Sequence, residues 1–174
     1  DLRKMKILQR IISVVTLALI FCLQSNGQSS IDIRPSIQRL AIKLSKEKTL
    51  HLGAPVGFSG VPETNNKYYK LYQKLSTKAT DKELVSLTND NSKTVVLYSF
   101  LILYSRNYSD LKEIFLKNIK DTSDVWIASG CTGSLDRVNT FMLRQLNPAY
   151  MDSRQPYLTQ EEYDKYMKEF RTPK

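Results

Sequence analysis

Histidine and cysteine are almost missing from this chain of 174 residues, which holds one histidine, His51, and two cysteines, Cys22 and Cys131. A zinc site built on one histidine and one cysteine would need several carboxylates, so no metal and no other cofactor is expected. If Cys22 leaves with an N-terminal signal, an internal disulfide is excluded and the fold must be held by its core. Runs of like charge are missing too. No five basic residues stand together, and no basic stretch interleaves with aromatics as in a nucleic-acid motif, so nucleic acid is not an expected partner. The apolar run Ile11–Leu23 falls short of the about 20 residues that a spanning helix needs, and no stable membrane span is expected once it is removed.

What precedes and follows that run points to export. Arg3, Lys4, Lys6 and Arg10 come first, and the polar stretch Gln24–Ser30 comes after. Basic, apolar and small polar residues in that order make a secretory signal, placed at residues 1–28 with Met5 as the start and cleavage within Asn26–Ser29. The mature chain is expected to be periplasmic or extracellular. An uncleaved N-terminal anchor is the alternative. A lipid anchor on Cys22 would want a small residue before the cysteine, where Phe21 stands. Residues 29–174 keep 22 basic and 16 acidic side chains, a modest surplus that suits a soluble surface and leaves room for attraction to anionic envelope surfaces. Their length is enough for one ordinary domain.

Apolar spacing predicts helices almost throughout. Ile37, Leu40, Ala41 and Leu44 fall on one helical face behind Ser36 as cap. The stretch Gly53–Pro62 has three glycines and two prolines and reads as a loop. Residues 29–62 are thus an N-terminal helix and Gly/Pro loop, and residues 63–174 the main domain. In the latter, Tyr68, Leu71, Tyr72, Leu75 and Ala79 form a stripe, and Thr80-Asp-Lys-Glu83 is a capping box. Asn89–Ser92 interrupts the chain ahead of Val95–Tyr104, which is apolar nearly all round and so either a buried helix or a buried strand; its length and helical neighbours favour the helix. Ser109 is expected to cap Leu111, Ile114, Phe115 and Ile119. Ser134 is expected to open a helix through Leu135, Val138, Met142 and Leu146. A second capping box, Thr159–Glu162, leads into Tyr163, Tyr166, Met167 and Phe170.

An internal echo arranges these helices. Residues 81–95 and 110–125 share a plan: a capped helix, an aspartate, a few polar residues, then a valine opening the next segment, with Val95 and Val125 in equivalent places. That plan resembles HEAT-type helical repeats, and the chain also resembles small secreted bacterial helical proteins. The resemblance implies an all-α fold of stacked antiparallel helical hairpins, a HEAT-like α-α superhelix, that binds a protein or peptide along its surface without catalysis.

The stretch Ile127-Ala-Ser-Gly-Cys-Thr-Gly-Ser-Leu-Asp-Arg137 has two readings. In the first, Cys131 takes the core place that Leu101 holds in the earlier repeat, and Gly130 and Gly133 end one helix before Ser134 starts the next. In the second, the cysteine, five residues, arginine spacing resembles cysteine-dependent phosphatases, and Leu135-Asp-Arg137 with Asn139 resembles the loop of Sac-type phosphoinositide phosphatases. That resemblance would imply Cys131 as nucleophile, Arg137 as phosphate clamp and Asp136 as general acid, with loop amides cradling the phosphate. The pattern departs from these families at Gly130 and at Val138, and the strands that would carry such a loop are not evident. His51 as a base for Cys131 is a further candidate. Asn107-Tyr-Ser109 has the form of a glycosylation sequon and also supplies turn residues.

Overall fold

The computed structural model describes residues 33–53, 55–56, 61–62, 66–150 and 156–171, and of 55–56 and 61–62 only the backbone. The segment 1–28 expected as a signal, and the cleavage region expected at its end, lie outside the described residues. Those described all belong to one unit, Asp32–Lys174, so the segment before residue 62 and the helices after it share a body.

Helix α1 spans Pro35–Leu44. Proline opens it with its fixed φ, Arg34 takes the cap place and Ser36 lies inside the first turn. Ile37, Ala41 and Leu44 are buried along one face. Glu47 then turns the chain by accepting the amides of Lys48 and Thr49 at 3.0 Å each. Strand β1 is Thr49–His51, and β2 (Pro55–Val56) pairs antiparallel with β3 (Val61–Pro62) within the Gly/Pro stretch. Helix α2, Lys67–Lys78, is capped by Asn66, whose side chain accepts from the Tyr68 and Tyr69 amides. Helix α3, Asp81–Leu87, starts on the Thr80–Glu83 capping box. Helix α4, Lys93–Ser105, is buried continuously from Thr94 to Phe100, as an all-round apolar sequence requires. Helix α5, Leu111–Asn118, has Asp110 at its cap place where Ser109 was expected.

Beyond α5 the expected architecture changes. Asp124–Ser129 and Thr132–Arg137 are strands β4 and β5 of an antiparallel hairpin, followed by α6 (Val138–Gln145) and α7 (Gln160–Arg171). The molecule is therefore mixed α and β, with seven α-helices among the described residues and a three-stranded sheet ordered β1-β4-β5. It is not the all-α, HEAT-like superhelix expected from the sequence. The repeat breaks at Val125. Val95 heads an unbroken apolar run, but Val125, Trp126 and Ile127 alternate buried, exposed, buried, the two-residue period of a half-covered strand. Gly130, with φ of 60°, takes the first position of a two-residue turn, the place a II′ hairpin turn reserves for glycine. It closes a hairpin and does not end a helix. The helix expected from Ser134 begins only at Val138, and Leu135 stands on β5, 60% exposed.

Strand β1 runs parallel to β4, with Thr49, Leu50 and His51 beside Trp126, Ile127 and Ala128. Parallel neighbours need a long crossover, and here α2 to α5 supply it. Leu50, Val125 and Ile127 face the buried side with Leu97, Leu103, Met142 and Leu143 in one continuous core.

A candidate binding edge on the sheet

The two outer strands of the sheet end differently. On β1, the outward backbone groups of His51 are taken by the Tyr98 hydroxyl, which accepts from the His51 amide at 2.8 Å and donates to its carbonyl at 3.2 Å. Helix α2 closes in beside it: Tyr72 stacks on Tyr98 at 4.9 Å, Tyr68 stacks on His51 at 6.2 Å, and the Asn66 amide lies 3.0 Å from His51 Nδ1. The ring of Tyr69 fills the space where a Cβ on Gly53 would go. That edge is covered.

Strand β5 ends the sheet on the other side, and among the described residues no strand pairs with its outer edge. Its bonding pattern follows from one contact. The Leu52 amide donates to the Ala128 carbonyl at 2.9 Å, so Ala128 turns its backbone groups toward β1. Its partner Gly133 is then in a non-bonded pair with it, and by alternation so are Leu135 and Trp126. The amides and carbonyls of Gly133 and Leu135 therefore point outward, ready to pair with another strand.

Beside this edge lies apolar surface. Trp126 and Leu135 are cross-strand partners on the face away from the core, 48% and 60% exposed. The indole crosses over Gly133, where an added Cβ would come within 2.9 Å of it. Arg137 is exposed at the far end of the same face, opposite Asp124. Asp136 points to the other side, where Arg144 pairs with it.

The residues singled out for phosphate chemistry are not assembled into a cradle. Cys131 is exposed on the hairpin turn, and Arg137 closes the strand that starts after it, on the order of 20 Å of extended chain away. The amides between them belong to a β-ladder and not to a loop around an anion. Asp136 is held in its ion pair with Arg144. His51 lies on β1, separated from β5 by β4 and set against Tyr68 and Asn66. No group of three or more His, Cys, Asp or Glu that could hold a metal gathers among the described residues. Asn107 sits exposed in the turn between α4 and α5 with φ of 57°, beside a cleft of about 640 Å³ with acidic and basic residues in its lining.

Trp126, Gly133 and Leu135 were not singled out from the sequence. The signal for them in the sequence was the β-branched and aromatic run Val125-Trp-Ile127 ahead of the Ser-Gly-Cys-Thr turn. Comparison with protein families, with curated proteins and with solved structures finds no match to this chain.

Proposed function

We propose that this protein is an exported, non-catalytic binding module that captures an extended segment of a protein or peptide by adding it to β5 as a fourth strand. The observation that carries this is the contrast between the two sheet edges: Tyr98 and α2 cover β1, and β5 offers unpaired backbone groups next to exposed Trp126 and Leu135. In strand addition, main-chain bonds supply affinity and alternate side chains supply selectivity. The incoming strand would pair with Gly133 and Leu135, lay apolar side chains beside Leu135 and Trp126, and place an acidic group near Arg137.

Leu135→Pro tests the mode of binding directly. Its amide points away from β4, so proline there removes an outward donor and leaves the hairpin ladder intact. Peptides selected from a displayed random library on the full chain should shift the emission of Trp126, the one tryptophan present. They should lose at least tenfold in affinity on Leu135→Pro and on Trp126→Ala. Selected peptides that bind both variants unchanged would place the site elsewhere.

A further inference from the structure

The net charge of this protein is concentrated in one part of the fold. Residues 33–78 carry nine lysines and arginines against Glu47 and Glu63, and residues 79–174 carry thirteen of each sign. The basic residues look scattered along the chain, but the fold gathers them on α1 and α2, neither of which contains an acidic side chain. On α2, Lys67, Lys70, Lys74 and Lys78 recur every three or four residues and are all exposed, so they form one stripe. On α1, Arg39 and Lys43 are exposed on the side opposite the buried Ile37, Ala41 and Leu44, and Lys46 is exposed in the turn just after the helix. The helices pack against each other with the start of α1 at the end of α2, where Arg34 Nη2 donates to the Lys78 carbonyl at 2.6 Å.

Among the described residues, two nearby carboxylates are already engaged. Glu47 is occupied by the amides of Lys48 and Thr49, and Glu83 by Arg34. Ion pairs for the α1 and α2 stripes are absent among the described residues, whereas Lys93, Arg106, Lys112 and Arg144 elsewhere each meet a carboxylate.

We infer that the α1–α2 layer docks on the surface of an anionic phospholipid bilayer. Three features favour a bilayer over a nucleic acid or an acidic protein. The cations are lysines apart from Arg39, compact charges on flexible stems that suit a diffuse anionic surface, whereas two-pronged recognition of single phosphates favours arginine. Ile42 stands 53% exposed among them, an apolar contact that can enter the headgroup boundary. Lys67 lies over the Tyr68 ring at 4.7 Å, but Tyr68 is already stacked on His51 and Tyr72 on Tyr98, so the stripe does not present the run of open rings that base stacking needs. Docking through this layer is independent of strand addition at β5, so the two can occur together.

Each cation beside an anionic bilayer contributes roughly fivefold to partitioning. The test is co-sedimentation of the full chain with vesicles of phosphatidylglycerol and phosphatidylcholine, against vesicles of phosphatidylcholine alone, over a range of salt. The apolar run Ile11–Leu23 is common to every chain compared, so differences between variants report on the helical layer. Replacing Lys67, Lys70, Lys74 and Lys78 together by glutamine, at roughly fivefold each, should reduce binding to the anionic vesicles several hundredfold. The same change at Lys117, Lys120, Lys165 and Lys168, in the half without net charge, should leave it within about threefold, with circular dichroism confirming that both variants are folded. Equal loss from the two sets, or no preference for anionic over neutral vesicles, would overturn the inference. So would single-stranded DNA or polyphosphate binding as tightly as the vesicles and losing as much on the α2 substitutions, which would make the layer a general polyanion site.

Discussion

Glu83 is the side chain with most partners in its own neighbourhood. Its carboxylate accepts the Thr80 amide at 2.8 Å and takes two bonds from Arg34, each 2.8 Å. The Arg34 bonds hold the carboxyl down at about 2, against the upward push of burial and with help from the Thr80 amide and hydroxyl. Because the folded group titrates below the unfolded one, its ionised form stabilises the fold fully above about pH 4.5, and that contribution disappears as pH falls through about 2. Glu83→Gln should therefore lower stability near neutral pH by about 1–2 kcal/mol, and urea melts should show the gap to the parent closing as pH drops across that window. Half of this was legible: threonine and glutamate three apart are a local signature, but Arg34 is 49 residues away and nothing near it in sequence marks the contact. For Cys131 the outcome differs from the core place expected. Exposed on the hairpin turn, it should be alkylated in the native protein nearly as fast as in denaturant, and Cys131→Ser should change stability by less than about 0.5 kcal/mol. Slow alkylation that denaturant accelerates would return it to the interior.

At the scale of elements, helices with strong local signals formed where spacing placed them. For helix α4 the central place was clear, since a run apolar on all sides has only the centre of the molecule to occupy, while its length and neighbours decided helix over strand. The capping box Thr159–Glu162 was equally plain, and both of its reciprocal bonds are present, at 3.0 and 3.1 Å. The β4–β5 hairpin was misread as helix because its sequence also satisfies looser rules. Leu135, Val138, Met142 and Leu146 fit helical spacing, and the β-branched and aromatic run Val125-Trp-Ile127 is a short warning against it. Its edge can be measured without a ligand. Amide hydrogen exchange should be faster at Gly133 and Leu135, whose amides face outward, than at Ser134 and Asp136, whose amides bond to β4. Uniform protection along β5 would mean that its edge is already occupied. Gly133→Ala should displace Trp126, since the new Cβ would sit within 2.9 Å of the ring, and tryptophan emission would register it.

For the whole molecule, the decisive joint is between β1 and the helices. Strand β1 has three residues, and its register with β4 spans 77 positions of sequence, from Thr49 to Trp126. Tyr98, on the central helix, satisfies its outer edge through one hydroxyl. Tyr98→Phe keeps the ring and removes that hydroxyl, leaving the His51 amide and carbonyl without it, and should cost about 1–3 kcal/mol in chemical denaturation. No loss would show that water replaces the bond. Ser99, the next residue, is fully buried and its hydroxyl has no partner among the described residues, so Ser99→Ala should be neutral or stabilising.

The sequence by itself determined the helices whose burial or caps are local: α1, α2, α3, α4, α5 and α7 all lie where apolar period and capping residues placed them, within a residue or two at their ends. It also determined how little chemistry is available, through a single histidine and two cysteines. The tertiary structure decided what a short local signal left open, that Asp124–Ser129 is a strand; it alone decided that this strand pairs with one from the far side of four helices, and that Cys131 on the turn and Arg137 at the far end of β5 stand apart. The physical reason is that a helix satisfies its own backbone within four residues, whereas a strand's backbone groups are satisfied only by partners that folding brings to it. The same holds for the surface. Which cations share a face and which edge stays open are properties of packing, and neither exists before the chain has folded.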